Sequence, residues 1–279
     1  MAGFDLHTHT TFSDGTTTPE DNVRDALALG LDGLGITDHD TTAPFERARR
    51  AADGTGLEVV LGTEFSAEHE GRSVHVLGFW IDPGFAPLAD ELDRLRDERL
   101  DRARRIVERF QALDVPVRFE RVEELAGNAP IGRPHIAKAV VETGAVKTTR
   151  EVFDQYLADG GPAYVEKHAV SPVRAVELLV AACGVTVLAH PGLYGARDSD
   201  EGTPDELVEA MVAAGLAGIE ADHPDPSEAH RTRDRDLAEG LGLAVTAGSD
   251  FHGDAKTNRL GSATTPRDVV EELRGWRRA

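Results

Sequence analysis

Cysteine is nearly absent from this chain of 279 residues: Cys183 stands alone, so no internal disulfide can staple the fold. It lies in the apolar run Val176 to Val187, where a free thiol is expected to pack in the core as a small hydrophobe. No apolar stretch approaches the roughly 18 to 20 residues of a membrane span, and the N-terminal residues lack the basic-then-apolar order of a secretory leader. A soluble, cytoplasmic protein is expected. Lysine is scarce as well. Lys138, Lys147, Lys167 and Lys256 are the only four among 30 basic residues, which face 50 acidic ones for a formal net charge of −20. That balance argues against nonspecific binding to long nucleic acid, which needs many phosphate-neutralising side chains. Small anionic substrates stay open, because bound dications reverse the sign of the field locally. An acidic, lysine-poor surface fits a salt-rich cytoplasm, and GC-rich coding gives the same arginine bias.

What the chain does have is a core: 40% of its residues are hydrophobic, enough at this length for one α/β barrel or two small domains. Short apolar runs ending in polar chemistry recur at Gly3–Leu6, Gly33–Ile36, Leu57–Leu61, Val74–Phe79, Val185–Ala189, Ala217–Ile219 and Leu243–Thr246. They read as strands mostly buried on both faces, as in parallel sheets. Helix patterns lie between them. Thr18 is a candidate N-cap, Pro19 suits the first helical position, Glu20 and Asp21 favour the positive end, and Gly30 can terminate the helix. Strand alternating with helix predicts a (β/α) barrel. From about Phe85 to Tyr164 the alternation breaks. Leu88, Leu92, Leu95, Ile106, Phe110 and Leu113 mark a long amphipathic helix, followed by helical segments at Arg121–Leu125, Ile136–Val141 and Arg150–Leu157. The expected organisation is a barrel of residues 1–84 and 165–279 with a helical insertion of residues 85–164. Such an insertion either shapes a substrate pocket at the strand C-terminal face or serves as a buttress.

Two segments near the ends carry paired chemistry: Asp5-Leu6-His7-Thr8-His9 and Ser249-Asp250-Phe251-His252. Residues i and i+2 of an extended strand share a face, so His7 with His9, and Asp250 with His252, can reach one ion or two adjacent ones. Asp14 follows in Phe12-Ser13-Asp14-Gly15 and His39 in Thr37-Asp38-His39-Asp40. Glu64 is expected after the third strand, His75 at the start of the fourth, and His190 after the fifth in Ala189-His190-Pro191. All but His75 fall at strand C-terminal ends, where barrel enzymes gather their chemistry. A fourth strand running the other way would account for His75. One histidine is a weak signal, but six of the chain's 11 occupy these positions beside three carboxylates. Imidazole and carboxylate without thiolate suit Mn²⁺, Fe²⁺ or Zn²⁺.

In this ordered series the sequence resembles the PHP phosphoesterases, the polymerase and histidinol phosphatase superfamily. The match continues through Gly62-Thr63-Glu64, His75-Val76-Leu77-Gly78, Gly132-Arg133-Pro134-His135-Ile136-Ala137, Gly161-Pro162-Ala163-Tyr164-Val165 and Gly248-Ser249-Asp250-Phe251-His252-Gly253, covering nearly the whole chain. The Arg-Pro-His and Gly-Pro-Ala-Tyr-Val segments resemble the nucleotide phosphatase and exoribonuclease branch. The resemblance implies a distorted (β/α)7 TIM-like barrel with three divalent ions. His7, His9, Glu64 and Asp250 would bind one, Glu64 would bridge to a second held by His75 and His190, and Asp14, His39 and His252 would hold the third. A hydroxide bridging the first two ions would attack phosphorus, with Arg133 gripping phosphoryl oxygens. His223, in Asp222-His223-Pro224, is a candidate for substrate contact or leaving-group protonation. His135 and Lys167 are further candidates for substrate contact.

The activity so implied is metal-dependent hydrolysis of nucleotide phosphates: a 3′,5′-nucleoside bisphosphate phosphatase, or a 5′ to 3′ exoribonuclease on short RNA. A small phosphorylated substrate is expected, with no long nucleic acid and no membrane as partner. Histidinol-phosphate hydrolysis and cyclic-phosphate cleavage would use the same metals. A noncatalytic regulatory module is disfavoured by the lack of a polymerase region in this sequence. An amidohydrolase-type barrel would imply a carbon–nitrogen substrate and no use for Arg133.

Overall fold

The apolar runs become seven strands of one sheet, arranged in sequence order: β1 (Phe4–Asp5), β2 (Gly33–Ile36), β3 (Glu58–His69), β4 (Arg72–Phe79), β5 (Val185–Leu188), β6 (Leu216–Asp222) and β7 (Ala244–Ala247). The computed structural model describes residues 3–127, 131–158, 160–166, 169–194 and 202–277. β2 and β5 are buried at every position, as expected of parallel strands covered on both faces. Neighbours pair in parallel except β4, which is antiparallel to both β3 and β5. This reversal distorts the barrel and places His75 at the same end as the other candidate ligands. Glu70 and Gly71, both at positive φ (50° and 77°), form the two-residue turn between β3 and β4, the geometry that matches the twist of a hairpin.

One expectation is corrected here. Glu64 does not follow the third strand but sits within it, because β3 continues past Leu61 by pairing with β4 from Gly62↔Phe79 to His69↔Arg72. The apolar run Leu57–Leu61 marked only the stretch that ends where pairing with β2 ends, at Ile36↔Leu61.

The two ends of the sheet meet through loops. Phe4 and Thr265 exchange backbone hydrogen bonds of 2.8 Å each way, and His9 N–H donates to the Phe251 carbonyl at 2.8 Å. The buried Asp5 carboxylate accepts from the Ser249 and Gly261 amides at 3.0 and 2.8 Å. Burial pushes the Asp5 carboxyl up to about 6 despite those amides, which favour its charged form. β1 and β2 approach closely at Gly35, where a Cβ would lie 2.3 Å from the Leu6 carbonyl oxygen and 2.8 Å from the Leu6 Cα. Backbone cannot step aside as a side chain can. Gly35→Ala is therefore expected to destabilise the protein by about 3 kcal/mol, seen as a lower urea midpoint; an unchanged midpoint would contradict this close approach.

Helices cover the strands. In α1 (Pro19–Leu29) the Thr18 hydroxyl accepts from the Asp21 amide at 3.1 Å, the Asp21 carboxylate accepts from the Thr18 amide at 3.3 Å, and Gly30 ends the helix at φ 70°. This reciprocal cap satisfies two amides the helix cannot. Val23 and Ala26 of α1 pack with Leu34, Ile36 and Ala48 of α2 (Phe45–Ala52). Phe4, Leu6, Leu77, Phe79 and Val187 form a second cluster with Val270 and Leu273 of a C-terminal helix, Arg267–Gly275. Each large apolar side chain so buried contributes roughly 1.5–3 kcal/mol.

The chain divides into two units, residues 1–92 with 169–279, and residues 93–168. The boundary falls within α3 (Ala86–Ala112). The second unit adds α4 (Phe119–Ala126), α5 (Arg133–Glu142) and α6 (Thr149–Val152), the last running into a π-helical turn, Phe153–Leu157. Ile106, Phe110, Val122, Ile136, Val140, Val152 and Leu157 give it a core of its own.

Cys183 is exposed rather than packed in the core. The run Val176–Val187 is two elements, α7 (Pro172–Ala181) and β5, joined by a turn in which Cys183 takes φ 59° and stands away from the interior. Among the described residues, no helix is long and apolar enough to cross a membrane.

Candidate metal centre

Nine side chains named from the sequence converge at one end of the sheet. Glu64 is central and 1% exposed. Its Oε2 lies 3.3 Å from His7 Nε2 and 3.1 Å from both His9 Nε2 and His39 Nδ1. Its Oε1 lies 2.7 Å from His75 Nδ1 and 3.0 Å from His190 Nε2. The two oxygens thus face different histidines, the arrangement a bridging carboxylate needs. Asp250 Oδ1 is 3.5 and 3.3 Å from the Nε2 atoms of His7 and His9. Asp14 lies 3.1 Å from His252 Nε2 and 3.7 Å from His39 Nε2.

Among the described residues, potential ligand atoms gather within 4.8 Å of one another in four groups: His7, His9, Glu64 and Asp250; His9, Asp14, His39 and His252; His39, Glu64 and His75; and His223, Asp225 and Asp250. His9 and His39 each belong to two groups. Six buried atoms here, His7 Nε2, His9 Nε2, His39 Nδ1, Glu64 Oε2, His223 Nε2 and His252 Nε2, make no hydrogen bond. A buried polar atom left unsatisfied costs about 1–3 kcal/mol, and divalent ions would satisfy five of these six, all but His223 Nε2. The donor set therefore fits a metal that favours nitrogen and oxygen ligands.

The tautomers are set by partners behind the rings. Both oxygens of Glu220 lie 3.0 Å from His7 Nδ1, His252 Nδ1 faces the Asp250 carbonyl at 2.8 Å, and His9 Nδ1 faces Ser13 Oγ at 3.3 Å. Ser13 in turn donates to buried Asp38 at 2.7 Å, so its oxygen is free to accept from His9. Each of these partners holds a hydrogen on Nδ1 and aims Nε2 at the centre, the orientation metal-binding histidines receive from their outer partners. His223 is the reverse. Its Nδ1 accepts from the Asp225 amide at 3.1 Å, so its Nε2 carries the proton, 3.4 Å from Asp250 Oδ2. His223 is thus a buried donor, not a fourth ligand of the same kind.

Electrostatics follow from this crowding. Burial pushes Glu64 up, but His39, His75 and His7 outweigh it and hold its carboxyl well below the usual range. Burial opposes charge on His7, yet Glu220, Glu64 and Asp250 outweigh it and raise that ring well above its ordinary value. At His39 burial wins, and the ring is pulled well below it. The backbone is strained at the same place: His190, Asp250 and Asp40 take φ of 29°, 52° and 52°, conformations that cost on the order of 1–3 kcal/mol each in non-glycine residues.

A cavity of about 220 Å³ opens on the cluster, lined by His39, Glu64, His75, His190 and Asp250 together with Val74, Pro191, Leu193 and Tyr194. Lys256 also lines it. Sequence reasoning missed Lys256 and Glu220. Glu220 had a readable signal, a carboxylate inside the apolar strand β6; Lys256 had none. Arg133 is exposed on the second unit, its guanidinium 5.9 Å from the centre of the Phe153 ring, and His135 Nδ1 accepts from the Gly132 amide at 3.1 Å. Lys167 lies outside the described residues. The substrate contacts expected of Arg133, His135 and Lys167 rest on the resemblance alone.

Comparison with known proteins agrees with this geometry. Residues 5–127 match the model of the PHP domain. A 3′,5′-nucleoside bisphosphate phosphatase of Chromobacterium violaceum is 36% identical over 93% of this chain and 90% of its own. A 5′-3′ exoribonuclease of Salmonella typhimurium is 34% identical over 89% of this chain and 85% of its own. The crystal structure of a Bifidobacterium adolescentis protein, provisionally assigned as a metal-dependent phosphoesterase, superposes with a TM-score of 0.84 at 37% identity, covering 100% of this chain and 97% of the other. The chain therefore belongs to the PHP-domain family, among its metal-dependent phosphoesterases.

Proposed function

We propose that this protein hydrolyses phosphate esters of nucleotides, removing phosphate from a 3′,5′-nucleoside bisphosphate or releasing 5′-mononucleotides from short RNA. The observation that carries this reading is the convergence of buried, unsatisfied histidine and carboxylate atoms around Glu64 beside an open cavity. The activities for which the Chromobacterium and Salmonella relatives are named support it. In this reading His7, His9, Glu64 and Asp250 hold one divalent ion, Glu64, His75 and His190 a second, and Asp14, His39 and His252 a third. Bound there, such ions supply water activated near neutral pH and positive charge for phosphoryl oxygens.

The chain's own residues supply the rest. Glu220 fixes the His7 ring, and the Ser13 and Asp38 pair fixes His9. His223, kept neutral by the Asp225 amide on Nδ1, presents its Nε2–H at the edge of the cluster, where it can donate a hydrogen bond to the leaving oxygen as charge develops on it. Replacing His223 by asparagine is expected to slow hydrolysis of a nucleotide about 100-fold but to change p-nitrophenyl phosphate turnover far less, because p-nitrophenolate gathers less charge on its oxygen and needs that hydrogen bond less. Equal losses on both substrates would remove this hydrogen-bonding role at the leaving group. The reading as a whole is tested with Mn²⁺-loaded protein on a panel of adenosine 3′,5′-bisphosphate, adenosine monophosphate, short oligoribonucleotides, histidinol phosphate and a cyclic phosphate. Preference for one of the last two, or release of neither phosphate nor mononucleotide, would overturn it.

A further inference from the structure

The acidic cavity contains one cation that neither the sequence motifs nor the ligand set explains. Among the described residues that line it, Lys256 is the sole lysine or arginine. It stands in the loop after β7, six residues beyond Asp250, and is brought back by a short 3-10 turn, Gly253–Ala255. That turn is pinned by the Asp254 amide, which donates to Thr16 Oγ1 at 2.8 Å. The Lys256 ammonium lies 2.5 Å from Asp250 Oδ2, and its side chain remains 33% exposed.

Asp250 divides its two oxygens. Oδ1 faces His7 and His9 at 3.5 and 3.3 Å, while Oδ2 faces Lys256 and the protonated Nε2 of His223. Lys256 can therefore keep its partner while Oδ1 serves a metal. An ammonium has three N–H donors; Asp250 accepts one, and two are left for an acceptor on the cavity side. The other charged side chains lining the cavity are carboxylates, among them Glu64 and Asp225, which cannot donate to an anion. We infer that Lys256 binds a phosphoryl oxygen of the substrate directly, so that the cation gripping the phosphate comes from the same unit as the metal ligands. The inference rests on the phosphoesterase reading above and names one contact within it.

The test uses full-length protein loaded with Mn²⁺, titrated with inorganic phosphate by calorimetry, with metal content measured by mass spectrometry and folding checked by thermal melting. Lys256→Met is expected to bind phosphate 10- to 100-fold more weakly, the range for loss of one charge-assisted hydrogen bond, and to raise KM for a nucleotide correspondingly, with metal content unchanged. Lys256→Arg is expected to recover most of the affinity. Wild-type affinity for phosphate in Lys256→Met overturns the inference, as does loss of metal in step with loss of phosphate, which would make Lys256 a support of Asp250 only. If the wild type releases phosphate from nucleotides and Lys256→Met still binds phosphate normally, the inference fails and the phosphoesterase reading stands. If the wild type neither releases nor binds phosphate, both fail.

Discussion

Glu64→Gln is expected to lower phosphate release by about 1,000-fold or more, close to 4 kcal/mol of lost transition-state stabilisation, and to reduce the metal bound per chain. The size of the effect comes from position. Glu64 Oε2 serves His7, His9 and His39, and Oε1 serves His75 and His190. A glutamine has one acceptor oxygen and one NH₂ group, so whichever way it turns, one set of histidines faces a donor that cannot bind a cation. It also removes one negative charge from a buried site meant to hold several positive ones. Metal content and turnover equal to wild type would mean that Glu64 does not bridge.

Adding Mn²⁺ to chelator-treated protein is expected to raise the melting temperature strongly. Each occupied site contributes about 2.7 kcal/mol at 100 times its dissociation constant. In a domain of this size that is roughly 5 °C per ion, or about 15 °C if three bind. The gain should depend on pH in a direction fixed by His9. Burial opposes charge on that ring, but Asp250 and Glu64 raise it from 6.5 to about 9. Without metal the His9 proton therefore adds stability that is fully present below pH 6.5 and is lost as pH rises through 9, roughly 3 kcal/mol in all. A metal must displace that proton, so its affinity rises over the same interval. Melting curves at pH 6.5 and 9 should show the chelated protein weakening and the Mn²⁺ increment growing. An increment that shrinks with rising pH would show that His9 is not a ligand.

Much of this site was legible before folding. The His7 and His9 pair, the Asp250 and His252 pair, and the single groups at Asp14, His39, Glu64, His75 and His190 all meet at one end of the sheet, because strand ends on a barrel share a face. The reversed β4 was foreshadowed by His75 alone. Three things were not legible. Glu64 was placed after its strand because the hairpin that extends β3 has no apolar signature. Cys183 was assigned to the core because an apolar run does not reveal the turn inside it. Lys256 gained meaning only from a loop that folds back onto Asp250, and Glu220, readable as a carboxylate in an apolar strand, found its partner His7 only in the fold.

The chain alone carries the family resemblance in its ordered motifs, the ligand chemistry in its residue types, and the strand-and-helix alternation in periods of two and 3.6 that each segment holds locally. Tertiary structure decided which nitrogen of each histidine faces inward. That choice depends on Glu220, Ser13, the Asp250 carbonyl and the Asp225 amide. Spacing along the chain could place these partners near no particular ring. It is this choice that separates His7, His9 and His252, which aim Nε2 at a metal with Nδ1 held from behind, from His223, which offers an N–H.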